Sequence, residues 1–163
     1  MGDNATEFVG WATMSQDYLE AALTLDAVRQ KRKRVSEPSL FIYHHSVELA
    51  LKSYLLASGK TAADLKIIGH HFETLLNQCL KLDFRLSEEA KEFVRELPDT
   101  GGVIDVKYFK IGWARRHVAG HTKIHSVEVV VACIKQAFEK SPIEMPNWLK
   151  AELSQLQSLA SCQ

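Results

Sequence analysis

The chain has 163 residues, 46% of them hydrophobic and 25% charged, which suits one packed domain and is too apolar for a disordered one. Twenty basic residues balance twenty acidic ones, which argues against an extended nucleic-acid scaffold while permitting local basic patches. Cys79, Cys133 and Cys162 form no CxxC pair, so neither a disulfide framework nor a thiolate zinc site is suggested; no apolar run reaches membrane-spanning length, MGDNATEF is not ordered like a signal peptide, and a cytoplasmic location is expected.

The first predicted element is a long helix from about Thr6 to Arg29, with Phe8, Trp11, Tyr18, Ala22 and Leu25 at three- and four-residue steps on one face. The run Lys31-Arg32-Lys33-Arg34 follows it, where cations suit the negative end of a helix. Ser36-Glu37-Pro38 opens a second helix whose apolar stripe is Tyr43, Val47, Ala50, Leu51, Tyr54 and Leu55, and Gly59 stops it. A turn is expected over Thr61–Leu65. A third helix then starts at Gly69-His70-His71 and repeats Phe72, Leu75, Leu76, Cys79 and Leu80.

Ser87 with Glu88 and Glu89 reads as the cap and acidic first turn of a fourth helix that buries Ala90, Phe93, Val94 and Leu97. Asp99 to Gly102 is a turn, and Val103 to Ile111 alternates as an extended segment would. Gly112 and Gly120 argue against a continuous helix there, so Ser126 is expected to cap the last core helix, with Val127, Val130, Val131, Ile134 and Phe138 facing inward. Pro142 and Pro146 end it, and a short amphipathic helix carries Trp148, Leu149, Leu153 and Leu156. The expectation is an all-α bundle of five to six helices with one extended excursion over residues 99–122: a domain at 1–145 and a C-terminal helix or tail at 146–163.

The most chemical stretch is residues 103 to 125, where Lys107, Lys110, Arg115, Arg116 and Lys123 interleave with Tyr108, Phe109 and Trp113. Cations among aromatics suit a phosphate and a stacked base, and equally suit a half-buried strand with a solvated face. Glu48 and Lys52 stand four apart in the favourable order for a helical ion pair, which reads either as a solvated surface pair or as part of a ligand cleft. His70 serves either the cleft or the backbone at a helix start. Seven histidines without ordered spacing do not make a zinc site, so no metal and no cofactor is implied.

The second and third helices together resemble a HEPN domain. The residues that carry the likeness are His45-Ser46-Val47-Glu48-Leu49-Ala50-Leu51-Lys52-Ser53-Tyr54-Leu55-Leu56 and then Gly69-His70-His71-Phe72-Glu73-Thr74-Leu75-Leu76. The family shows a similar order: a His-x-x-Glu-x-x-Leu-Lys helix, a linker, then Gly-His and a leucine-rich helix. The resemblance spans about residues 5 to 140, and it implies two alternative functions.

In HEPN ribonucleases an Arg-x4-6-His motif serves, which Arg116-His117-Val118-Ala119-Gly120-His121 matches. An imidazole moves the ribose 2′-hydroxyl proton and a guanidinium stabilises the phosphorane, without metal. That form implies a toxin or defence protein, a site built by two protomers, and a partner such as a nucleotidyltransferase. Other small members carry something like Arg-Tyr-x-x-Thr-Gly, which Lys107-Tyr108-Phe109-Lys110-Ile111-Gly112 fits with two positions altered. Those members bind or partner rather than cleave, and this alignment explains more residues. It implies a non-catalytic site for a nucleotide, RNA or partner protein at Glu48, Lys52, His70, Lys107, Tyr108 and Lys110, in a homodimer. A purely structural dimerisation module is the third expectation.

Overall fold

The computed structural model describes residues 3–29, 37–97 and 119–161, with side chains over 6–28, 38–97 and 122–158. Among the described residues are seven helices and no strand: α1 (Asp3–Arg29), α2 (Glu37–Ala57), α3 (Ala62–Ile68), α4 (Phe72–Leu80), α5 (Glu88–Glu96), α6 (Ala119–Lys140) and α7 (Asn147–Ser161). The protein is an all-α bundle. The helix beyond the five or six expected is α3, where the sequence suggested a turn. Thr61 Oγ1 accepts the Asp64 N–H at 3.2 Å and the Asp64 carboxylate accepts the Thr61 N–H at 2.8 Å. This capping box satisfies two otherwise orphaned amides and starts a helix too short to show a period. Gly69, at φ +71°, ends it.

α2 and α6 form the centre. Every residue of α2 from Ser46 to Leu56 is buried, the mark of a helix enclosed on all sides. α1 lies along α2, α6 packs beside both, and α4, α5 and α7 cover the remaining faces. The predicted α6 face, Val127, Val130, Val131, Ile134 and Phe138, is buried as expected, and Val129, Cys133 and Ala137 are buried as well. Phe138 meets Phe8 of α1 edge-on, with ring centroids 5.1 Å apart.

Ser126 does not cap α6. The helix starts seven residues earlier, passes through Gly120, and leaves Ser126 fully buried inside it. A glycine in a helix costs only about 1 kcal/mol relative to alanine, which the burial of this helix outweighs. Residues 119–122 of the expected extended excursion are therefore helical, while 99–118 lie outside the described residues. Ser87 does cap α5, accepting the Ala90 N–H at 3.1 Å.

Three polar links reinforce the packing, two of them from the α4–α5 loop to the core and one between α1 and α2. The Tyr54 hydroxyl donates to the Leu82 carbonyl at 2.5 Å, and the Tyr43 hydroxyl donates to the Asp26 carboxylate at 2.8 Å. The buried Gln136 amide holds both sides of the Arg85 peptide, accepting its N–H at 2.8 Å and donating to its carbonyl at 2.7 Å. α7 buries Leu149, Leu153 and Leu156 and packs chiefly on α6. Glu152 also accepts a hydrogen bond from Gln16 of α1.

Candidate functional site

Three- and four-residue steps put His45, Glu48 and Lys52 on one side of α2. That side meets α1 at Trp11 and Tyr18, and it meets the α3–α4 linker at His70. The left-handed turn at Gly69 sets the direction in which His70 leaves α3. α2 and the linker thus meet at the Glu48 carboxylate, and the α1 rings flank Lys52 and His45 on either side of it.

The geometry is tight. Glu48 Oε1 accepts a hydrogen bond from Lys52 Nζ at 2.6 Å and lies 2.7 Å from His70 Nδ1. Lys52 Nζ sits 5.8 Å from the centroid of the Trp11 ring, a cation over an aromatic face. His45 meets the Tyr18 ring edge-on at 4.6 Å and runs parallel to the Phe41 ring at 6.1 Å. Glu48 is 2% exposed and Lys52 6%, whereas the His70 side chain is 59% exposed. The cluster therefore runs from a buried ion pair to an imidazole at the surface.

Burial alone would raise the Glu48 carboxyl, but Lys52 and His70 outweigh it and hold the group below its ordinary value. Glu48 is thus a carboxylate, which only accepts, so His70 Nδ1 carries the proton of their hydrogen bond. Burial pushes the His45 imidazole below its ordinary value; Glu48 opposes that shift, and Lys52 and His70 add to it. A neutral histidine, an anionic glutamate and a lysine then stand together beneath aromatic rings.

Of the two readings of the Glu48–Lys52 pair, the solvated surface pair is overturned. α2 is enclosed, and its polar side faces α1 and the linker instead of water. Dehydrating both ions costs several kcal/mol each, and an apolar pair of the same volume is often as stable or more so. Fold stability alone does not account for this pair.

The structure brings together Glu48, Lys52 and His70 of the residues expected at a binding site. Lys107, Tyr108, Lys110 and Arg116 lie outside the described residues, as does the Lys31–Arg34 run. His121 falls in the first turn of α6, with its side chain outside them, so the Arg116–His121 pairing of the ribonuclease pattern lies outside them too. Farther along α6, His125 stacks on Phe93 at 5.5 Å and stands 3.5 Å from Glu128. His44 turns away from the cluster and meets Phe72 edge-on at 6.4 Å. Among the described residues no three His, Cys, Asp or Glu side chains are placed to hold one metal ion, and no helix is long and apolar enough to cross a membrane.

Sequence reasoning missed the aromatic partners. Trp11 and Tyr18 share a helical face with Phe8 and Ala22 by period alone, yet they are only half-buried while Phe8 and Ala22 are wholly buried. Phe41, one turn before His45, was the signal available for the α2 half of the cluster. No family model, curated protein or solved structure matches this chain.

Proposed function

We propose that this chain is a HEPN-like domain that binds a nucleotide, free or within RNA, without cleaving it. The observation that supports this reading is the buried Glu48–Lys52 ion pair bonded to the exposed His70. Lys52 supplies a donor for a phosphate, Glu48 accepts from a ribose hydroxyl or a base amine, and the second ring nitrogen of the exposed His70 accepts from a further hydroxyl or amine. The half-buried rings of Trp11, Tyr18 and Phe41 beside them offer apolar faces for a base. A ligand of this kind gives the dehydrated charges a use that fold stability does not. Lys107, Tyr108 and Lys110 belong to the same reading through the family pattern, and a protein partner is the occupant it displaces.

The test uses ATP, GTP and a short single-stranded RNA, titrated calorimetrically in EDTA into wild type and His70→Ala. Wild type is expected to bind at least one of them. His70→Ala is expected to weaken that binding about tenfold, roughly the loss of one hydrogen bond. Its melting temperature should fall only modestly, because Glu48 keeps its Lys52 partner when the His70 hydrogen bond is lost. Wild type that binds none of the three would overturn the proposal. RNA cleavage in EDTA that disappears in both Arg116→Ala and His121→Ala would replace it with a metal-independent endoribonuclease.

A further inference from the structure

Water hardly reaches Glu48 and Lys52, which are 2% and 6% exposed. No ligand touches either until something beside them moves. On one side α1 covers them, packed along the length of α2. On the other lies the α3–α4 linker, whose His70 shares Glu48 Oε1 with the Lys52 ammonium. His70 is the outermost member of the cluster, and it follows directly on the end of α3.

α3 is lightly held. Its seven residues fall short of the length at which a helix stands alone in water. Leu65 is its one buried side chain, and Ile68 rests half-buried on the core. Ala62, Ala63, Lys66 and Ile67 all face solvent, and the Thr61–Asp64 capping box is exposed too. Left-handed glycines bracket the helix, Gly59 at φ +93° and Gly69 at φ +71°. A Cβ at Gly59 would meet nothing within 4 Å, and one at Gly69 only the His71 ring at 3.9 Å. Neither glycine makes room for another part of the chain, so both serve the turn of the backbone.

The neighbouring helices also close without α3. The Gly59 and Lys60 N–H groups donate back to the Leu56 and Leu55 carbonyls, both at 3.0 Å, which completes α2. α4 begins its own ladder where the Leu75 N–H donates to the His71 carbonyl at 2.9 Å. No helical hydrogen bond of α2 or α4 therefore depends on α3. Elements held in this way open well below the free energy of global unfolding.

We propose that α3 is the gate of the Glu48–Lys52 cluster: it unwinds locally between Gly59 and Gly69, draws His70 off Glu48 and admits a ligand to the ion pair. Closed, the His70 hydrogen bond holds the place that a ligand takes when α3 is open. Affinity then scales with the fraction of molecules that are open. The gate itself needs no nucleotide; only the nature of what enters rests on the binding reading above.

Access to Lys52 is read by acylation of the native chain with acetic anhydride, located by mass spectrometry, with exposed Lys81 as internal reference. In wild type Lys52 should react far more slowly than Lys81. Thr61→Ala removes the cap and should speed Lys52 about fivefold. Ala62→Pro puts proline at the first helical position, after a Thr61 that is already extended. It should slow Lys52 about threefold. Both positions are exposed, so the global melting temperature should hold in each variant. Lys52 rates that ignore both substitutions would overturn the proposal, as would a wild-type Lys52 that reacts as fast as Lys81. A Lys52 rate that follows amide exchange of α1 or α2 would sink it by showing another way in. Calorimetry on the same variants separates the gate from the nucleotide. Where ATP, GTP or RNA binds, Thr61→Ala should bind it about fivefold tighter, and affinity unmoved by both variants would refute the gate as the entrance. If none of the three binds while Lys52 responds as expected, the gate stands and the nucleotide reading falls.

Discussion

Glu48 and Lys52 pose the question that a single residue pair can answer. Removing one partner of a buried ion pair strands the other charge, at a cost of about 3–5 kcal/mol, whereas replacing both by apolar residues costs little. Lys52→Met alone is therefore expected to lose about that much stability in urea denaturation, and Glu48→Leu/Lys52→Met to recover most of it. The same double variant should lose nucleotide binding. If it unfolds as easily as the single variant, the pair holds the fold together and the functional reading of its burial fails. The i, i+4 spacing of this pair was legible in the sequence. Its burial was not, because a Glu–Lys pair has the same spacing whether a helix borders solvent or is enclosed on all sides.

Helices with a long apolar period were legible as elements. The α2, α4 and α5 faces follow the predicted stripes, and Ser87 caps α5 as its sequence suggests. α3 shows where that reading stops. At seven residues it is shorter than two full turns, so it carries no period, and its signal was the Thr61…Asp64 box alone. Only Leu65 of α3 is buried, while Ile67 is 86% exposed. The helix therefore depends on its caps more than on packing. Thr61→Ala is expected to cost about 1 kcal/mol, read by hydrogen exchange as lost amide protection over Ala62–Ile68. The global melting temperature should hardly move. Equal loss of protection across α2 and α4 would show that α3 melts only with the whole bundle. The α6 start was misread for the opposite reason: Gly120 and Ser126 looked like breaks, and packing carried the helix through both.

At the scale of the molecule, acid stability gathers these local effects. Burial keeps the folded His45 neutral below its ordinary value of 6.5. The unfolded chain takes up that proton first, so stability falls as the pH drops through 6.5. The Glu48 carboxyl is held below 4.5 in the fold, so its contribution is complete above 4.5 and is lost as the pH falls further, through its lowered value. Wild type is expected to lose melting temperature in both windows. His45→Gln should lessen the loss as the pH drops through 6.5, because position 45 then carries no imidazole to titrate. Superimposable profiles for the two proteins around that pH would refute this account of His45.

The sequence by itself determined the all-α class, the apolar residues that α2, α4 and α5 bury, and the capping of α5 by Ser87. Those outcomes rest on local rules of period and capping that any one segment obeys alone. Tertiary structure decided what no segment carries. It enclosed α2, so that Glu48 and Lys52 went inside, and it brought His70 and Trp11 to them from elements far along the chain. It also divided one apparent face of α1, burying Phe8 and Ala22 wholly and Trp11, Tyr18 and Leu25 only in part. A helical period places residues around an axis; only packing decides which parts of that circumference meet other helices and which meet water.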